Sequence, residues 1–236
     1  MSGKHNTLAA RERIIVALDY PHPDEARALV RTLGDAVDFY KVGLELTIAG
    51  GLDLVDELVQ AGRKVFLDLK LHDIGNTVEK ATAAAAARGV SLLTVHAYPQ
   101  TMAAAARGAA GTGLQVLGVT VLTSYDNADL SSAGYAAGVT ETVRLRAAQA
   151  RESGISGVVC APTDATMVRT ILGPDRLVVT PGVRPAGAAV GDQKRIATPH
   201  EAVKSGADYL VIGRPITAAA DPRAAVEQIV AELEGA

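Results

Sequence analysis

Eight short, β-branched apolar runs alternate along the 236 residues with eight segments of helical pattern, and few folds accommodate that alternation. The strand candidates are Ile14 to Asp19, Phe39 to Gly43, Lys64 to Lys70, Leu92 to His96, Gln115 to Leu122, Gly157 to Cys160, Leu177 to Thr180 and Tyr209 to Ile212. The helix candidates are Pro23 to Leu33, Gly51 to Ala61, Thr77 to Arg88, Pro99 to Ala110, Thr140 to Ser153, Asp164 to Leu172, Pro199 to Ser205 and Asp221 to Glu234. Strands that are apolar on both faces belong to a parallel sheet covered on both sides. Closure into a single (β/α)8 TIM barrel removes the sheet's edges, whereas an open doubly wound sheet would keep two. The expected architecture is therefore α/β, with one barrel domain over residues 14–236 behind a polar N-terminal segment, residues 1–13.

Asn76 and Glu79 have the spacing of a capping box, and Gly62, Gly89, Gly154 and Gly206 fall where helices should stop. The alanine run Ala81 to Ala87 reads as a helix that lies close to its neighbours. Two connections exceed what a βα loop needs, Thr123 to Val139 and Pro181 to Thr198. The second carries Gly182, Gly187 and Gly191, and both have lid-like length, tolerated insertion being the other reading of the first.

Composition excludes several functions. Hydrophobic residues at 48% supply a large core, and aromatics at 3% argue against a base-stacking nucleic-acid site. A net charge of -3 provides no electrostatic footprint for nucleic acid or an anionic membrane. The single cysteine, Cys160, lies in an apolar run and reads as a buried small hydrophobe. Residues 1–13 lack the apolar stretch of a signal peptide, and no run approaches the ~18 apolar residues of a membrane span, so a cytoplasmic location is expected.

In a barrel of this kind the chemistry sits at the C-terminal strand ends. Collected there are Asp19, Lys41, Asp68, Lys70, Asp73, His96, Thr123, Arg184, Gln193 and Arg214. Strand alternation puts Phe66, Asp68 and Lys70 on one face, a carboxylate beside an ammonium, and the following loop can aim Asp73 at the same ammonium. Any one of these charges has a bland reading as a solvated strand end. Four inside one barrel mouth, Asp19, Lys41, Asp68 and Lys70, are harder to dismiss, because unpaired buried charge is costly. The three aspartates have the oxygen ligands for Mg2+, but two lysines beside them argue against a cation. His96 reads as a hydrogen-bonded core histidine or as a base, and spacing assigns no role to His72. After the last strand, Gly213-Arg214-Pro215 supplies a backbone N–H, a guanidinium and a helix start, a phosphate pattern that Arg184 and Gln193 face from the preceding loop.

With these residues assembled, the chain closely resembles the orotidine 5'-monophosphate decarboxylases of the shorter bacterial type from about Ile14 to Ile229. The likeness is carried by Val16-Ala17-Leu18-Asp19, Tyr40-Lys41-Val42-Gly43, Phe66 to Thr77, Leu122-Thr123-Ser124, Thr180 to Pro185 and Ile212 to Ile216. The Asp-x-Lys-x-x-Asp element is similar to that of 3-keto-gulonate 6-phosphate decarboxylase and hexulose 6-phosphate synthase. Those relatives place a Mg2+-binding Glu where this chain has Lys41, which favours the metal-free enzyme.

The resemblance implies decarboxylation of orotidine 5'-monophosphate to uridine 5'-monophosphate in de novo pyrimidine biosynthesis, with no cofactor and no metal. It implies a catalytic array of Lys41, Asp68, Lys70 and Asp73, in which Lys70 protonates C6. Asp73 and Thr77 would complete the neighbour's site in a homodimer. Asp19 and Lys41 would hold the ribose, Thr123 would mark the pyrimidine pocket, and Arg184, Gln193, Gly213 and Arg214 would bind the phosphate. A Mg2+-dependent sugar-phosphate lyase and a noncatalytic phosphate-binding barrel are the alternatives. No nucleic-acid or membrane partner is implied.

Overall fold

The computed structural model describes residues 8–185 and 195–235. Its eight strands are β1 (Ile14–Ala17), β2 (Phe39–Gly43), β3 (Lys64–Leu71), β4 (Leu92–His96), β5 (Gln115–Val119), β6 (Gly157–Val159), β7 (Leu177–Pro181) and β8 (Tyr209–Ile212). All neighbouring pairs are parallel, and β8 returns to β1 to close the barrel in sequence order. The expected single α/β barrel is what the chain builds.

Strand alternation decides which residues fill the inside. Ile15 and Ala17, Phe39, Phe66, Leu92, Leu117 and Val119, Val159, Leu177 and Val179, and Tyr209 and Val211 form one buried cluster. The opposite parity (Ile14, Val16, Tyr40, Val42, Val65, Leu67, Leu93, Val95) packs outward against the helices. Each fully buried aliphatic side chain contributes about 1.5–3 kcal/mol, so a strand with both faces buried fixes its register strongly. Asp19, Lys41, Asp68 and Thr94 continue the interior parity towards the strand ends, which carries polar groups to the mouth.

The helices are α1 (Pro23–Leu33), α2 (Leu44–Ile48), α3 (Leu52–Gln60), α4 (Gly75–Ala87), α5 (Pro99–Ala109), α6 (Asn127–Ser132), α7 (Val139–Ser153), α8 (Ala165–Leu172), α9 (Pro199–Lys204), α10 (Arg214–Thr217) and α11 (Pro222–Glu234). Gly62, Gly89, Gly154 and Gly206 all take the positive φ of helix stops. The alanine run lies on α4 against α5, so closely that a Cβ at Gly108 would meet the Glu79 carbonyl oxygen at 2.3 Å.

The elements differ from the expected ones at several places. Asn76 and Glu79 form no capping box: α4 starts at Gly75 with Ile74 as its N-cap and no side-chain cap bond. The Glu79 carboxylate instead accepts from Arg107 on α5 at 2.8 Å. The connection Thr123 to Val139 contains α6, started by a capping box in which Asp126 and Asp129 satisfy each other's backbone N–H groups. Strands β1 and β5 stop at Ala17 and Val119, short of Asp19 and Leu122.

Candidate active site

The interior lysine and aspartate side chains meet at the C-terminal mouth as a chain of alternating sign. Lys41 Nζ lies 2.8 Å from Asp19 Oδ1 and 3.8 Å from Asp68 Oδ2, and Lys70 Nζ donates to both Asp68 oxygens at 2.9 Å. Burial pushes the Asp68 carboxyl up, but the Lys41 and Lys70 ammoniums and the hydrogen bonds from Lys70 and Thr94 outweigh it and hold the group below the usual carboxylate range. Lys41 is itself buried. Gly43 leaves room for the cluster: a Cβ there would stand 3.0 Å from Lys41 Nζ and 3.3 Å from Asp19 Oδ1.

The route by which Lys70 reaches Asp68 is not simple alternation. Leu67 pairs with Leu93 and Leu71 with Val95, so Asp68, Leu69 and Lys70 stand opposite Thr94 alone. The surplus is absorbed as a bulge in which Lys70 takes φ 49°, the only positive φ outside glycine among the described residues. Such a conformation costs about 1–3 kcal/mol and persists where the surroundings over-determine it. The Thr94 hydroxyl accepts the Lys70 N–H at 2.9 Å and donates to Asp68 Oδ1 at 2.8 Å. The sequence signal for Thr94 is a threonine on the interior parity of β4, shared with Leu92.

These side chains line a cavity of about 450 Å³ that runs across the mouth. Its wall includes Asp19, Lys41, Asp68 and Lys70, Leu122, Thr123 and Ser124, and Arg184, Gly213 and Arg214. Thus eight of the expected site residues converge on one space. Beside Arg214, the N–H groups of Ile216 and Thr217 are already bonded to the Gly213 carbonyl as α10 begins. A residue unmarked by sequence, Arg195, pairs with Asp164 and donates to the Leu122 carbonyl at 3.1 Å, tying the connection after β7 to that after β5. Gln193, Gly187 and Gly191 lie outside the described residues.

Asp73 and Thr77 are not part of this wall. Both are exposed, and Asp73 Oδ1 accepts the Ile74 N–H at 2.6 Å. Among the described residues no ion pair joins Asp73 to Lys70, so the expectation that the loop aims Asp73 at its own chain's ammonium is not met. Large apolar side chains are exposed as well: Ile74, next to Asp73, is 72% exposed, and Leu44 and Ile48, on the helix after β2, are 53% and 86% exposed.

The two central histidines belong to an adjoining cluster. His72 stacks on Tyr98 at 4.5 Å and shares a hydrogen bond with Thr101 at 3.2 Å, and His96 meets His72 edge-on at 5.9 Å. Arg146 lies over Tyr98 and Tyr135, whose hydroxyls bond each other. Burial first, then the nearby His72, Arg146 and Lys70, lower the His96 pKa, which suits neutral packing better than proton transfer. Cys160 is buried and its thiol pushed up by burial. Among the described residues, no group of three or more His, Cys, Asp or Glu side chains could hold a metal ion, and no helix is long and apolar enough to cross a membrane.

The family model for the orotidine 5'-phosphate decarboxylase / HUMPS family matches residues 12–229. The chain belongs to that family. A curated orotidine 5'-phosphate decarboxylase of Methylobacterium sp. (strain 4-46) is 61% identical over 229 residues, which cover 96% of this chain and 97% of the relative. The enzyme of that name from Bradyrhizobium sp. (strain BTAi1 / ATCC BAA-1182) is 57% identical over 97% of this chain and 94% of its own. Among solved structures, the orotidine 5'-phosphate decarboxylase of Lactobacillus acidophilus superposes with a TM-score of 0.83 at 38% identity, covering 94% of this chain and 99% of that one. Membership in the family therefore spans the whole barrel, including every strand end that contributes to the cavity.

Proposed function

We infer that this chain decarboxylates orotidine 5'-monophosphate to uridine 5'-monophosphate in de novo pyrimidine biosynthesis, without a metal or cofactor. The observation that carries the reading is the alternating chain Asp19–Lys41–Asp68–Lys70, which lines one cavity together with Arg184, Gly213 and Arg214. In family members that act on this substrate, the bond from C6 to the carboxylate breaks with its electron pair left on C6, in the ring plane and outside the π-system. An enzyme must lower such a barrier by ~8–23 kcal/mol, and fixed charge is the means available here. The Lys70 ammonium stabilises the pair and delivers a proton to C6, while CO2 leaves on the side of Asp68. Lys41 stands between Asp19 and Asp68, and Lys70 lies on the far side of Asp68, which supports metal-independent chemistry over a Mg2+-dependent sugar-phosphate reaction.

Asp19 and Lys41 hold the ribose, Thr123 the pyrimidine, and Arg184, Gln193, Gly213 and Arg214 the phosphate. Asp73 and Thr77 act in the neighbouring subunit of a homodimer. Their exposure, together with that of the apolar Ile74 next to Asp73 and of Leu44 and Ile48 on α2, supports that arrangement. Such an enzyme works in the cytoplasm. The test is the fall in orotidylate absorbance, with and without EDTA, for the wild type and Lys70→Ala. Turnover that survives EDTA and vanishes in Lys70→Ala is expected. Loss of turnover in EDTA would transfer the chain to the Mg2+-dependent branch, and UMP binding without CO2 release would make it a phosphate-binding barrel.

A further inference from the structure

We propose that Thr94 is a positioning residue for this reaction, its hydroxyl locking the Asp68 carboxylate and the Lys70 backbone into one register. The proposal rests on the function inferred above and assigns a part to a residue outside the charged array.

In a regular parallel sheet alternate residues of β3 bond to β2 and to β4. The bulge interrupts that ladder at Lys70, where three residues of β3 face the single residue Thr94 and the Lys70 N–H meets a side-chain hydroxyl. The Lys70 amide can only donate, so the Thr94 oxygen must accept it, and the hydroxyl proton is left for Asp68. One hydroxyl thus closes a ring: Lys70 amide to Thr94, Thr94 to Asp68, and Asp68 back to the Lys70 ammonium at 2.9 Å. Thr94 is fully buried, so water does not replace it. A residue held at φ 49° has no preference of its own for that shape, and the ring supplies the restraint. The consequence falls on the ammonium, because the backbone angle at Lys70 sets where its side chain starts. Misplacing a reacting group by about 1 Å costs roughly 100-fold in rate.

Thr94→Val keeps the shape and removes the hydroxyl; Thr94→Ser keeps the hydroxyl. For Thr94→Val, kcat on orotidylate is expected to fall about 10- to 100-fold with KM little changed, the size expected when a hydrogen bond to a charged group is lost. Thr94→Ser should recover most of that rate. Amide hydrogen exchange supplies a readout that needs no turnover: the Lys70 N–H should be protected in the wild type and Thr94→Ser and exchange faster in Thr94→Val. Thr94→Ala serves if Thr94→Val does not fold, with the same expectations. Wild-type kcat in Thr94→Val, a Thr94→Ser enzyme as slow as Thr94→Val, or equal protection of the Lys70 amide in all three would each overturn the proposal. A wild type inert on orotidylate would overturn the functional reading instead, and the exchange measurement would still decide the role of Thr94.

Discussion

Mixing an Asp73→Ala protein with a Lys70→Ala protein tests whether the active site is shared between subunits. In the isolated chain Asp73 is exposed, bonded to the Ile74 N–H at 2.6 Å, and makes no ion pair with Lys70, whose ammonium rests on Asp68. If Asp73 serves the neighbour, a heterodimer combines the Lys70 of one chain with the Asp73 of the other in one site and loses both in the second. Random exchange of equal amounts makes half of the dimers mixed, so about one quarter of all sites are intact. Activity should rise from near zero to about a quarter of the wild-type value per site, on the timescale of subunit exchange. If Asp73 acted within its own chain, each heterodimer site would lack one group or the other and no recovery could occur. Exchange is followed independently with differently tagged chains on native mass spectrometry. Confirmed heterodimers without recovered turnover would refute the shared site and return Asp73 to its own mouth.

Arg214→Ala should lower kcat/KM on orotidylate by about 10- to 100-fold, the loss of a charge-assisted contact. Phosphite added to a substrate truncated at the phosphate should activate the wild type and do little for the variant; unchanged turnover would remove Arg214 from the phosphate site. Asp208 is a structural counterpart, accepting from Arg169 at 2.6 Å and from the Val178 N–H at 2.7 Å in a buried position. Asp208→Ala should cost about 3 kcal/mol and lower Tm by about 10 °C in a thermal melt, whereas a shift within error would mean that the guanidinium finds other partners. For His96 the folded pKa is lowered, so the unfolded chain binds the proton first as pH falls. Its contribution to stability is complete above the unfolded pKa of about 6.5 and is lost as pH drops towards the folded value. In His96→Gln the urea midpoint should therefore decline less between about pH 7.5 and pH 5.5 than in the wild type, and an equal decline would deny the histidine that role.

The barrel was legible because its strands are apolar on both parities. A run such as Ile14-Ile15-Val16-Ala17 buries one set of side chains inside and the other against the helices, and neither a half-exposed sheet nor a helix offers that. Helix stops were legible for a similar local reason, since glycine is the residue that takes positive φ without strain. Helix starts were less so. The spacing of Asn76 and Glu79 was right for a cap, but Arg107 on another helix offers Glu79 an ion pair, and a partner distant in sequence cannot be seen in a four-residue pattern. The converse holds at Asp126 and Asp129, a capping box in which aspartate, not glutamate, fills the last position.

Within the site, alternation brought Asp68 and Lys70 to one face, yet the structure reaches that pairing by breaking the alternation. A strand continued regularly from Leu67 would have paired Leu69 with Val95; the observed partner of Val95 is Leu71. The two added residues leave the outer pattern of Leu67 and Leu71 intact, so nothing in the hydrophobic period reveals them. What betrays them is Thr94, a polar residue on the buried interior parity of β4, which needs partners that no regular ladder would provide. Interior polar residues on the strand beside a catalytic one are therefore informative even when they carry no charge. They mark where backbone groups have left the ladder, and a lysine whose direction is set by a strained backbone depends on whatever takes those groups up.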